Sequence, residues 1–274
     1  VSDAQEEILL DLADNGVFTI TMNRPEAANS LTMENRAAIA DAFVRADDDP
    51  FVRCVVLKAT GRFFCTGADL RAGGSAPPAK PEGAPDKIVG DHRRMMLRNA
   101  IRLMNLIIDC EKPVIAQVEG TAAGIGAHLA FACDLVVAGD QAKFIEVFAR
   151  RGLAADGMGT WLLPRLIGLQ KAKELVFLAE DITAARAYEI GLVTRLVPAD
   201  EVQSTVDDLA GRIAAGPTRA HMINKRLINR STDVDRATIA EEEAMWVELN
   251  GYTEDSTEGV ASLMERRDPN FRGF

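Results

Sequence analysis

Three short apolar runs, at residues 54–57, 113–118 and 135–138, are each bounded by Gly, Asp or Pro, and each lies near a segment with helical spacing. Buried strands that alternate with helices are the signature of an α/β protein, because a parallel sheet needs helices to cover its faces. A further pair of apolar stretches, residues 7–12 and 17–22, flanks Asp14-Asn15-Gly16. Asn-Gly in that place predicts a hairpin, since both residues tolerate positive φ. Thr32 is placed to cap a helix that runs to about Ala46, with Glu34 in its first turn, where a negative charge meets the positive end of the helix dipole. Met95, Met96, Leu103, Met104 and Ile107 give residues 88–109 the period of one amphipathic helix. Before it, residues 72–85 are dense in Gly, Pro, Ala and Lys and read as a mobile surface loop.

Strand signals stop near Pro198. Residues 201–215, 217–229, 235–250 and 257–267 all read as helices, with Pro217 suited to a first turn, where its missing N–H is harmless. The expected organisation is an α/β core over residues 1–197 and a helical region over residues 198–274, and 274 residues are enough for both.

A formal charge of -10 argues against a duplex nucleic-acid partner, which would need a basic face to displace counterions. No run approaches the roughly 18 apolar residues of a membrane span. The acidic start lacks a basic segment followed by an apolar one, so no secretory signal is expected there. The cysteines at 54, 65, 110 and 133 are scattered, and His92, His128 and His221 do not cluster with them. Reduced thiols in a cytoplasmic protein, without a metal site, are the expectation.

Two glycine-containing turns stand out. One spans residues 61–70, Gly-Arg-Phe-Phe-Cys-Thr-Gly-Ala-Asp-Leu, directly after a buried strand. The other spans residues 119–128, Glu-Gly-Thr-Ala-Ala-Gly-Ile-Gly-Ala-His, after a second strand and at the opening of an apolar helix. Each alone reads as a tight strand-to-helix turn, with backbone N–H groups left unpaired at the helix start.

Together with Asn23-Arg24-Pro25, Asn29, Pro113-Val114-Ile115-Ala116, Cys133-Asp134-Leu135, Gly191-Leu192-Val193 and the tail around Arg266-Arg267 and Pro269-Asn270-Phe271, the two turns resemble the crotonase, or enoyl-CoA hydratase/isomerase, superfamily over nearly the whole chain. The resemblance implies a spiral of repeated ββα units followed by helices that build homotrimers or homohexamers. It implies an acyl-CoA substrate, with coenzyme A part of that substrate and no separate cofactor. It places an oxyanion hole at the backbone N–H groups of Ala68 and Ile125, and coenzyme A contacts at Thr66, Ala68, Asp69, Leu70 and Arg71, with Lys225 as a phosphate candidate. Loss of a proton next to a thioester carbonyl puts charge on its oxygen, and one fixed donor in a dry pocket is worth about 3 kcal/mol there. Ile125 replaces a glycine of the family pattern; its bulk is expected to narrow the acyl pocket.

The chain departs from a hydratase at the two catalytic glutamates, whose places are taken by His128 and Phe148. Asp156 remains, in a glycine-bracketed turn before an apolar helix, where spacing alone favours a helix N-cap. The surrounding segment is similar to the ring 1,2-epoxyphenylacetyl-CoA isomerase and cis-3,trans-2-enoyl-CoA isomerase branches, which place their acid/base at this position. Enoyl-CoA isomerisation by Asp156 is therefore the leading expectation. The alternatives are hydration by Asp156 with His128, nucleophilic attack by Asp156 on an acyl-CoA, and acyl-CoA binding without turnover. His128 is open between a second proton carrier, a partner for substrate and a packed polar residue. Glu146 reads as structural or solvent-facing, and Cys65 as a packing residue.

Overall fold

The computed structural model describes residues 6–70, 82–85 and 88–274. Strands β1 (Ile8–Leu12) and β2 (Val17–Met22) form the hairpin, β1 antiparallel to β2. Only Gly16 of the expected Asn-Gly pair takes positive φ, at +84°. Asn15 instead accepts the Val17 N–H on its side chain, so the loop is four residues long and needs a single left-handed position.

From β2 the sheet continues in parallel through β3 (Cys54–Ala59), β4 (Val114–Val118), β6 (Leu135–Gly139) and β9 (Arg195–Val197). Their alternation divides the core. Val55 and Leu57 face the larger cluster, with Phe43 of α1 (Met33–Asp48) and Leu103 of α3 (Ala100–Ile108). Cys54, Val56, Ile115 and Val137 face the other way, against Val202, Val206 and Ala210 of α7 (Val202–Ala214). Strands covered on both faces must be apolar at every position, which is why these runs were continuous in the sequence.

Thr32 caps α1 with a reciprocal Asn35 box. The single helix expected over 88–109 is two, α2 (Asp91–Arg98) and α3, broken at Asn99, whose backbone leaves helical angles. Only α3 buries a face: Ala100, Leu103, Met104 and Ile107. The loop expected at 72–85 lies mostly outside the described residues. A second sheet joins β5 (Thr121–Ala123), β7 (Lys143–Ile145) and β8 (Asp181–Thr183). Between and after them lie α4 (Ile125–Ala132), α5 (Gly159–Leu178), which kinks at Gly168, and α6 (Ala184–Glu189).

The composition change near Pro198 is not a packing boundary, since α7 covers a sheet face. Beyond α7 come α8 (Thr218–Ser231), α9 (Arg236–Asn250) and α10 (Glu254–Glu265), which bury few residues. Pro217 sits at the N-cap of α8 rather than inside its first turn. Among the described residues, no helix is long and apolar enough to cross a membrane.

Candidate active site

Parallel pairing of β3 with β4 sends both chains out of the same edge of the sheet, where ligands bind in many α/β folds. The two glycine turns follow directly and are stitched together. Cys65 N–H donates to Thr121 O (3.1 Å), and Ala123 N–H donates to Cys65 O (2.9 Å). Gly67, at φ +105°, leaves room for the Ala123 carbonyl; a β-carbon there would sit 3.1 Å from that oxygen. At Gly126 a β-carbon would run into the Cys65 carbonyl oxygen, so glycine permits the contact between turns.

The first turn is also pinned from below. Asn29, at φ +52°, donates to Thr60 O (2.8 Å) and Phe63 O (2.7 Å) and accepts from Arg24 N–H. Leu31 N–H donates to Gly67 O, and Asp69 N–H to Leu31 O, so Ala68 lies between the two bonds with its own N–H turned away from Leu31. Ile125 opens α4, where first-turn N–H groups lack helical acceptors. Among the described residues, neither the Ala68 nor the Ile125 N–H has a hydrogen-bond acceptor.

Both residues line one cavity of about 650 Å³, with Thr66, Leu70 and Asp156 on its wall. Met33, Met95, Met96, Val147 and Phe148 make much of the remainder apolar. Asp156 is not a helix cap. Met158, left-handed at φ +66°, holds the N-cap position of α5, and Asp156 contributes only its carbonyl to Gly159 N–H. Among the described residues its carboxylate accepts no hydrogen bond. Asp156 is itself exposed. The protein around it still removes enough water to push its carboxyl above the usual range, while His128, Arg36 and His92 pull it back.

Arg36 was not singled out in the sequence. It is a buried arginine of α1 on the cavity wall, tied through Nε to Thr32 O (3.2 Å). Burial lowers its pKa, opposed first by the charge of Asp156. A lone arginine at helical spacing gives no sign of this; only the tertiary approach of α1 to the Asp156 turn does.

The other expected contacts divide. Asp69 is buried and pairs with Arg24 (3.2 Å), so its carboxylate braces the turn and does not line the cavity. Arg71 lies outside the described residues. Lys225 is neither at this cavity nor a solvated lysine: its ammonium is 2.7 Å from Asp134, which also accepts Val114 N–H. The expected phosphate contact is thus a partly buried ion pair that ties α8 to the sheet. His128 is fully buried behind Phe148 rather than on the cavity wall, its ring stacked at 5.5 Å from that of Phe148. Glu146 is buried, not solvent-facing, and both its oxygens approach His128 Nε2, at 3.0 and 3.1 Å. Among the described residues, no group of three or more His, Cys, Asp or Glu side chains assembles a metal site.

The family model for enoyl-CoA hydratase/isomerase matches residues 13–273. The chain is 35% identical to a 1,2-epoxyphenylacetyl-CoA isomerase of Escherichia coli (strain K12), over 97% of this chain and 99% of that one. It is 34% identical to a crotonyl-CoA hydratase of Syntrophomonas wolfei, over 98% of both. A crystal structure of an enoyl-CoA hydratase from Bacillus anthracis superposes with a TM-score of 0.88 at 29% identity, covering 98% of this chain and 100% of that one. With two turns of the expected kind converging on one cavity, and a family match spanning nearly the whole sequence, the chain belongs to the enoyl-CoA hydratase/isomerase family and is an enzyme of the crotonase superfamily.

Proposed function

We propose that this enzyme shifts a carbon–carbon double bond in an enoyl-CoA, with Asp156 as its single acid/base. The observation that carries the reading is one carboxylate and two unengaged backbone N–H groups on the wall of one largely apolar cavity. In a 3-enoyl thioester, Asp156 takes a proton from C2. The C–H electron pair moves into the thioester, and its oxygen gains charge that the Ala68 and Ile125 N–H groups stabilise. Return of the proton from Asp156 to C4 leaves the double bond between C2 and C3. One carboxylate suffices for both transfers, and desolvation brings it closer to the basicity that the carbon acid requires.

In this reading Thr66 and Leu70, which line the cavity, meet the coenzyme A portion, and the apolar wall takes the acyl group, either a fatty chain or a ring from aromatic degradation. The similarity to a 1,2-epoxyphenylacetyl-CoA isomerase supports a rearrangement of this kind. Hydration by Asp156 with His128 fits less well, because the imidazole lies behind Phe148 and off the cavity wall. Apolar side chains left exposed on α9 and α10, among them Met245, Val247, Leu263 and Met264, support assembly into trimers or hexamers. Four buried, unpaired cysteines suit work in the reducing cytoplasm.

The test is spectroscopic conversion of 3-enoyl-CoA to 2-enoyl-CoA by wild type and Asp156→Asn. The variant is expected to lose activity by about a hundredfold or more. Full activity in the variant removes Asp156 from the chemistry.

A further inference from the structure

Behind the cavity wall lies a second ionisable pair that the proposed chemistry does not use. Both members are almost completely enclosed: His128 is 0% exposed and Glu146 1%. Both Glu146 oxygens lie at hydrogen-bond distance from His128 Nε2, at 3.1 and 3.0 Å, and hold that edge of the ring. The other ring nitrogen, Nδ1, is buried and, among the described residues, has no hydrogen-bond partner. A buried polar atom without a partner is unfavourable, and its persistence calls for a reason.

The direction of that nitrogen supplies one. A β-carbon at Gly157, the residue after Asp156, would lie 3.3 Å from Nδ1, and one at Gly159 would collide with Nε2. The imidazole therefore rests against the backbone of the turn that presents Asp156, and the two glycines make space for it. Phe148 closes the opposite side by stacking. Carboxylate, ring and turn thus form a continuous buried column ending at the catalytic wall.

We infer that His128, fixed in place by Glu146, is a positioning residue for Asp156: it braces the Gly157–Gly159 turn that presents the Asp156 carboxyl. This rests on Asp156 being the acid/base. His128 does not contact substrate; it acts through the aspartate. Arg36 from α1, His92 from α2 and Arg151 share the cavity wall with Asp156, while His128 from α4 and Glu146 after β7 are buried behind it.

The experiment pairs kinetics with a readout that needs no change at His128. Ring ¹⁵N shifts of the three histidines are followed against pH in ¹⁵N-histidine-labelled wild type and in Asp156→Asn. The His128 signals are expected to show a step as Asp156 titrates, and to lose it in the variant. In His128→Gln, kcat on 3-enoyl-CoA is expected to fall by about tenfold to a hundredfold, with KM little changed. His128 signals that ignore the Asp156 substitution overturn the inference, as does an unchanged kcat in a folded His128→Gln. The two readings fail separately. An inactive Asp156→Asn with no His128 coupling sinks only this pairing. An active Asp156→Asn with coupling present supports the pairing and removes the base assignment.

Discussion

Partial loss of solvent holds the Asp156 carboxyl above the usual carboxylate range, and the sign of that shift reaches both activity and stability. Only the ionised form can take a proton, so kcat/KM should rise with pH through an apparent pKa above the ordinary aspartate value of about 3.9. A pH–rate profile on 3-enoyl-CoA checks this. For stability, a carboxyl with a raised folded pKa favours the fold only while protonated. The penalty grows as pH climbs from the unfolded value through the folded one. Asp156→Asn should therefore melt no lower than wild type at pH 7, and higher if Arg36 tolerates the loss of its counter-charge, as calorimetry would show. At this scale the sequence singled out Asp156, Ala68 and Ile125, which share one cavity wall, because their motifs are local. It was silent on Arg36 and on the ion pair of Lys225 with Asp134, because the partners of both come from distant parts of the chain.

Among the elements, the glycine turns carry the most function. Gly126→Ala drives a methyl group into the Cys65 carbonyl and should spread the two turns that hold the Ala68 and Ile125 donors. Loss of about a hundredfold or more in kcat is expected, the effect of removing one oxyanion donor, with steady-state kinetics as the check. Arg53 performs a different task. From the start of the third strand segment it donates to Thr218 Oγ1 (3.0 Å), Gly216 O (2.7 Å) and Phe271 O (3.2 Å), clasping α8 and the chain's last residues to the body. Arg53→Ala should lower unfolding stability by about 3 kcal/mol in urea titration, since charged donors to otherwise unsatisfied carbonyls are strong. The long buried strands and capped helices were legible because apolar period and cap chemistry act over neighbouring residues. The three-residue strands β5, β7, β8 and β9 were not, since their pairing is with distant segments and so short a run has no period to read.

For the whole molecule, the helices after α7 leave apolar side chains facing outward, including Tyr252 and Val260 beside those already named. Sedimentation velocity should find a species three or six times the 29.7 kDa chain mass, and a monomer at micromolar concentration would contradict the proposed assembly. The α/β class and the family were readable from motifs scattered over the full length, whereas the reach of α7 over the sheet was not, because helical period says nothing about which surface a helix covers.

The central claim is geometric: two main-chain amides and one carboxylate address a single thioester. A crystal structure with a non-hydrolysable enoyl-CoA analogue bound tests it most directly. The account predicts the carbonyl oxygen within hydrogen-bond distance of both the Ala68 and Ile125 nitrogens, with an Asp156 oxygen over C2 and C4. An oxygen held elsewhere, or a different side chain facing those carbons, would contradict it.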